Sequence, residues 1–213
     1  MRITHIFIIL LFTQYDTVMG QISIGFKGGP NLNNTVIKSD DPNFPDLSDP
    51  TISFHVGLFT TLRITDKFLL IPELQFIQKG YSLSAYRNGN NKVVYKNRIN
   101  YIEIPLLISY SIFKYINIEA GFVTGFKISA VYKEGSTKKN VTGEFESFLD
   151  LGLASGVRIN LTERLGLTGR YVWSLTPLDK SDPNISEQVT KEYNRNLLVS
   201  VTYTVRTKKD KKK

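Results

Sequence analysis

Ten side chains carry whatever chemistry this chain has: Lys27, Lys79, Lys127, Arg158 and Arg170 as cations, Glu73, Glu103, Glu119 and Asp150 as carboxylates, and the titratable His55. His5 falls in the apolar leader, so a Ser-His pair would have to combine His55 with Ser53 or with a loop serine. The strained Gly-x-Ser-x-Gly turn that presents such a serine in hydrolases does not occur. Glu73 and Glu103 are candidates for paired general acid and base, but the cations present make ion pairing the stronger reading. On the same grounds His55 is expected to hydrogen-bond a carboxylate. There is no cysteine, hence no disulfide or thiolate metal site. No metal-ligand spacing or phosphate-cradling glycine loop appears. The expectation is a protein that is not an enzyme and carries no cofactor or metal.

What positions these residues is a period of two. In Asn100-Tyr-Ile-Glu-Ile-Pro-Leu-Leu-Ile-Ser-Tyr110, the residues Ile102, Ile104, Leu106, Ile108 and Tyr110 share one face, while Tyr101, Glu103, Pro105, Leu107 and Ser109 share the other. Alternation of that kind is a strand with two unlike faces. It recurs around 22–28, 51–62, 68–81, 116–131, 147–161, 165–175 and 197–205. Gly28-Gly-Pro30 is expected to end the first strand. Polar runs at 30–50, 87–92, 133–140 and 176–194 are expected to be long loops, with short turns at 63–67, 112–115 and 162–164. Long and short connections alternate, as in an up-and-down barrel with both chain ends on the short-turn side. The fold class is therefore all-β: an eight-stranded antiparallel up-and-down transmembrane β-barrel.

In most of these strands the charged residues and glycines gather on one face, while the other is mainly aliphatic and aromatic. A lipocalin-like soluble barrel would need that pattern inverted, with about nine charges on its exterior. Placed inside, the ten residues named above form a lumen ion-pair network, since unpaired charges in so narrow a space would cost several kcal/mol each. Eight strands enclose just enough room for side chains, so the lumen is expected to be plugged. Two aromatic girdles are expected outside: Tyr110 and Tyr203 toward the short turns, and Phe26, Phe54, Phe76, Phe126 and Trp173 toward the long loops. Two details strain the pattern. Pro72 and Pro105 lack ladder donors and should mark bulges or gaps. Asn88-Gly89 as a two-residue turn would mismatch the facing sets of its two strands, so a bulge or a three-residue loop is required.

Residues 1–20 read as a signal peptide, with Arg2 ahead of the apolar Ile6–Phe12 and a compact Val18-Met-Gly20 before Gln21. The barrel domain is assigned to 21–205 and a basic periplasmic tail to 206–213. That tail holds six cations and one aspartate, which leaves only +3 of the net charge of +8 to the rest of the chain. It reads as a solvated end rather than as a nucleic-acid site. The implied location is the cell outer membrane, as a monomer with lipid around it.

Four pieces of the chain resemble the PorT-like outer-membrane β-barrel family of Bacteroidota. They are the leader ending before Gln21, Ile24-Gly-Phe-Lys-Gly-Gly-Pro-Asn-Leu32, Pro72-Glu-Leu-Gln-Phe-Ile-Gln-Lys-Gly80, and Tyr101-Ile-Glu-Ile-Pro-Leu-Leu107 with Glu119-Ala-Gly121 after it. The resemblance implies an eight-stranded outer-membrane barrel. It also implies that some relatives serve protein secretion and maturation at the cell surface. The chain departs from many such barrels in continuing past Tyr203 into a lysine tail. Three roles follow: a structural or interaction barrel displaying four long extracellular loops, an accessory part of a secretion machine whose partners are envelope or secretion proteins, or a narrow small-solute porin.

Overall fold

Strands with one oily and one charged face can satisfy both faces only by closing on themselves. The computed structural model describes residues 22–39, 48–87, 91–134, 137–142, 147–180 and 190–207. The leader 1–20 and the tail lysines 208–213 lie outside the described residues. Eight long strands make the wall: β1 (Ile22–Ser39), β3 (Thr51–Arg63), β4 (Phe68–Arg87), β5 (Asn91–Phe113), β6 (Ile116–Glu134), β8 (Leu149–Asn160), β9 (Leu165–Ser174) and β11 (Thr190–Thr207). Each pairs antiparallel with the next, and β1 pairs with β11 to close the ring. Three short strands sit on the wall: β2 (Ser48–Asp49) on β4, β7 (Thr137–Asn140) on β6 and β10 (Asp179–Lys180) on β11.

The short turns are built by their own side chains. In Ile64-Thr-Asp-Lys67 the Thr65 hydroxyl accepts from the Lys67 and Phe68 amides, and in Leu161-Thr-Glu-Arg164 the Thr162 hydroxyl accepts from the Arg164 and Leu165 amides. The two turns share the order threonine, acid, base, and threonine hydroxyls favour such local bonds.

The other rim departs from expectation. Gly28-Gly-Pro30 does not end β1, which runs on to Ser39 with β11 beside it throughout. The ladder to β11 passes over Gly29 and Pro30, so the missing proline donor falls in a gap. A Cβ at Gly29 would meet the Val199 carbonyl oxygen at 2.1 Å, so only glycine lets the two backbones come this close. Much of the expected loop 30–50 is thus strand. The same holds at 87–92, where Arg87 pairs with Asn91, a pairing with the required even parity. β11 begins at Thr190, inside the expected loop 176–194, and reaches Thr207, two residues past the expected barrel end. The expected loops are shorter because the strands continue beyond the barrel as paired extensions.

The prolines behave as gaps. The β4–β5 ladder steps from Pro72–Leu106 to Gln75–Glu103, passing over Pro105, while the β3–β4 ladder steps from Phe59–Glu73 to Leu62–Leu70. On the outer wall, Ile52, Phe54, Ile104, Phe122, Leu153 and Val201 are exposed. A water-soluble barrel would bury such residues, so this wall suits lipid. Phe68 and Tyr110 pack at 5.0 Å at the short-turn end, and Phe54 with Phe76 at 5.7 Å and Phe126 with Phe148 at 5.9 Å farther up. Phe68 and Phe76 lie on one strand, roughly 26 Å apart at about 3.3 Å per residue. At a tilt of about 40° that is roughly 20 Å along the axis, close to the apolar band of a membrane barrel. Phe26 is misplaced by the sequence reading. It pairs with Tyr203 and belongs to the short-turn level, because β1 continues well beyond it.

Candidate functional site

Inward-pointing positions of six strands bring the charged set together in two tiers. All ten residues are buried, from Glu103 at 0% exposure to Lys127, Asp150 and Arg158 at 6%. In the tier nearer the short turns, Arg170 of β9 forks onto Glu73 of β4, with Nη1 donating to Oε2 at 2.7 Å and Nη2 to Oε1 at 3.0 Å. Its Nη2 also donates to Glu119 Oε2 of β6 at 2.9 Å. Lys27 of β1 donates to Glu73 Oε2 at 2.7 Å, and Arg158 Nε of β8 donates to Glu119 Oε1 at 2.5 Å. Three cations from three strands thus hold two carboxylates from two others. The planar guanidinium of Arg170 suits this bridging geometry in a way an ammonium would not. The Arg158 guanidinium also lies over the Phe59 ring at 5.0 Å.

In the second tier, Lys79 of β4 sits 2.6 Å from Glu103 of β5 and 2.8 Å from Asp150 of β8. Its ammonium lies over the Tyr101 ring at 4.9 Å. Gln75 donates to Glu103 Oε2 at 2.6 Å, the oxygen Lys79 leaves free, and Asn194 donates at 3.0 Å to Asp150 Oδ2, the oxygen Lys79 also meets. Lys127 is buried at the same height, beside Tyr101 in the β5–β6 register.

Glu73 and Glu103 therefore belong to different tiers, each held by its own cations, and do not form an acid-base pair. His55 also departs from expectation. Its Nε2 lies 2.7 Å from the Ser200 hydroxyl of β11, over the intervening β1, rather than against a carboxylate. Ser53 is occupied elsewhere: its hydroxyl donates to the Gln78 carbonyl and accepts from the Asn31 amide at 2.9 Å and the Asn33 amide at 2.5 Å. Asn31, Asn33, Thr35, Asn194 and Asn196 are all buried at the top of the lumen, yet sequence reasoning had placed them in or beside loops. The signal was present, since Asn31-x-Asn33-x-Thr35 and Asn194-x-Asn196 continue the period of two beyond the apparent strand ends.

Outside, the apolar band stops abruptly. Just above Phe76, Ile102 and Phe126, Gln78 donates to Asn100 at 3.0 Å and Asn100 donates to Ser129 at 2.8 Å, a polar row across β4, β5 and β6. On the far side, the Arg195 guanidinium lies over the Trp173 ring at 4.9 Å and caps the Ser174 and Asn194 carbonyls. Polar and basic groups beside an aromatic level mark a membrane–water boundary.

A family model described as outer membrane protein beta-barrel domain matches residues 12–180. None of the curated proteins compared with the chain matches it. Among solved structures, the Neisserial surface protein A is 12% identical, with 84% of this chain and 96% of that one covered at a TM-score of 0.49. OprG from Pseudomonas aeruginosa is 15% identical, covering 88% and 96% at 0.45. The attachment invasion locus protein Ail of Yersinia pestis is 12% identical, covering 86% and 99% at 0.40.

Proposed function

Since the chain belongs to the outer membrane protein beta-barrel domain family and resides in the outer membrane, we propose that it is a plugged, non-conducting barrel whose role is to present structure at the cell surface. The observation that carries this reading is the two-tier ion-pair network, in which charges from six strands meet across the lumen with almost no exposure. An ion crossing the barrel would have to displace contacts that are mutually desolvated, at several kcal/mol each. The presented elements are the paired extensions of β1 with β11 and of β4, β5 and β6. On this reading the leader 1–20 is removed, the tail from 208 lies in the periplasm, and the barrel acts as a monomer.

A non-enzymatic role is part of the proposal. His55 has Ser200 at one nitrogen, while its Nδ1 has no hydrogen-bond partner among the described residues. A serine nucleophile needs a third group to orient the imidazole and a route for substrate. Planar-bilayer recording of the folded protein tests the plugged lumen: a flat baseline is expected, and steady single-channel steps would replace this reading with a narrow small-solute porin. The PorT-like resemblance of the Pro72–Gly80 and Tyr101–Leu107 segments supports a second role, as an accessory to secretion or maturation at the surface. In-cell crosslinking from the extracellular hairpins to a larger envelope complex would establish that role, and its absence would leave the structural one.

A further inference from the structure

Above the polar row Gln78–Asn100–Ser129, the outer face of β5, β6 and β7 turns basic. The register places Lys96 opposite Lys133 and Lys133 opposite Lys138, three lysines abreast on neighbouring strands. Arg98 lies two residues below Lys96 on the same strand, and Ser129 follows a bulge that keeps Val131 and Lys133 on the outer face. Directly opposed like charges in a sheet repel, with Cβ atoms about 5 Å apart, so this arrangement costs stability when nothing anionic is present. Lys96, Arg98 and Lys138 are exposed and Lys133 is half-buried. Among the described residues, none of the four side chains forms an ion pair or hydrogen bond. Glu134 is on the opposite face of β6, alternating with Lys133, and Asp49 of β2 is a strand away across β4.

Height singles out what such a face would meet. Arg98 is four residues above Ile102, the last apolar position of the band on β5, and Lys96 is six above it. At about 3.3 Å per residue and a tilt of about 40°, these are roughly 10 and 15 Å beyond the hydrocarbon edge. Long basic side chains reach back toward the boundary along their alkyl stems. Beside Arg98, the β3–β4 ladder stops at His55–Ile77, and a cleft of about 300 Å³ opens, lined by Ser53, Gln78, Lys79, Ser82, Lys96 and Arg98. The cleft gives a headgroup depth as well as charge.

We propose that Lys96, Arg98, Lys133 and Lys138 bind the phosphate groups of a phosphorylated glycolipid in the outer leaflet. The inference rests on the outer-membrane location and on the proposed extracellular orientation of this rim, and not on the plugged lumen. Clustered basic side chains at a membrane surface attract anionic headgroups, and guanidinium with phosphate makes short, charge-assisted bonds. The lipid neutralises the repulsion built into the three-lysine row and ties β7 and the β5–β6 extension to the leaflet.

The test uses the full-length folded barrel in phosphatidylcholine vesicles containing lipid A with both phosphates, the retained lipid being measured by native mass spectrometry. The variant K96Q/K133Q/K138Q is expected to retain lipid A about a hundredfold more weakly, at roughly fivefold per basic residue. A control at the other rim, K67Q/K114Q/R164Q, is expected to bind as the unaltered protein does. Dephosphorylated lipid A is expected to be lost from the unaltered protein, and soluble pyrophosphate to compete poorly. Equal retention by the first variant, an equal loss in the control, or undiminished binding of dephosphorylated lipid A would each overturn the proposal. Tight binding of pyrophosphate without lipid would overturn the lipid assignment in favour of a soluble anion. Should the variant fail to show heat-modifiable gel mobility, the comparison of lipid A with and without phosphates on the unaltered protein decides the matter.

Discussion

Removing Glu73 is predicted to harm the barrel more than removing Arg170, although the two are partners in one buried contact. Glu73 accepts from Lys27 at 2.7 Å and from Arg170 at 2.7 and 3.0 Å. The substitution Glu73→Gln leaves Lys27, Arg170 and Arg158 facing Glu119 alone in that tier. The substitution Arg170→Met leaves two balanced pairs, Lys27 with Glu73 and Arg158 with Glu119, the latter at 2.5 Å. Breaking a buried ion pair costs about 3–5 kcal/mol, mostly from stranding the partner's charge. Glu73→Gln leaves Lys27 without a carboxylate and Arg170 and Arg158 sharing Glu119, and is expected near the upper end, about 5 kcal/mol. Arg170→Met strands neither carboxylate completely and is expected near about 3 kcal/mol. The double variant should fall short of their sum by about 2 kcal/mol, because the shared contact is lost only once. Urea titration of the folded fraction, read by heat-modifiable mobility in detergent, measures this directly. At about 1–3 kcal/mol per molar urea, Arg170→Met corresponds to a midpoint drop of about 1–3 M. If Arg170→Met proves as costly as Glu73→Gln, or if the two add fully, the charge-balance account of this tier is wrong.

Gly80 has φ of 140°, and a Cβ there would lie 2.0 Å from the Asn97 oxygen, so Gly80→Ala should cost about 1–3 kcal/mol in the same titration. Nothing lies within 4 Å of a Cβ at Gly169, and Gly169→Ala should stay within about 0.5 kcal/mol of the unaltered protein. Trp173 is the only tryptophan in the chain. Its fluorescence in vesicles should be quenched more by lipids brominated high on the acyl chain than near the terminal methyl, and the reverse order would misplace the upper boundary. Replacing Lys79, Glu103 and Asp150 of the second tier and Glu73, Glu119 and Arg170 of the first with alanine removes the ion pairs of both tiers, and single-channel steps absent from the unaltered protein should then appear in planar bilayers. A baseline as flat as before, in a variant that still folds, would show that other side chains close the lumen.

The faces of the wall were legible residue by residue, because a period of two is a local property that survives without knowledge of any partner. Tyr101, Glu103, Leu107 and Ser109 are buried while Ile104, Leu106 and Ile108 are exposed, in the order their alternation dictates. The short turns were legible for a similar reason, since Thr65 and Thr162 bond to amides two and three residues away. Strand ends were not. Gly28-Gly-Pro30 carries the local marks of a terminus, and only the neighbouring β3 and β11, more than twenty residues and nearly the whole chain away, supply the ladder that takes β1 on to Ser39. Partner choice was equally hidden. His55 meets Ser200 because ring closure sets β3 and β11 on either side of β1, so that side chains 145 residues apart meet over Gly29. Composition sets which charges lie within, but the stagger of eight strands decides which carboxylate meets which cation, and that stagger exists only once the barrel has closed.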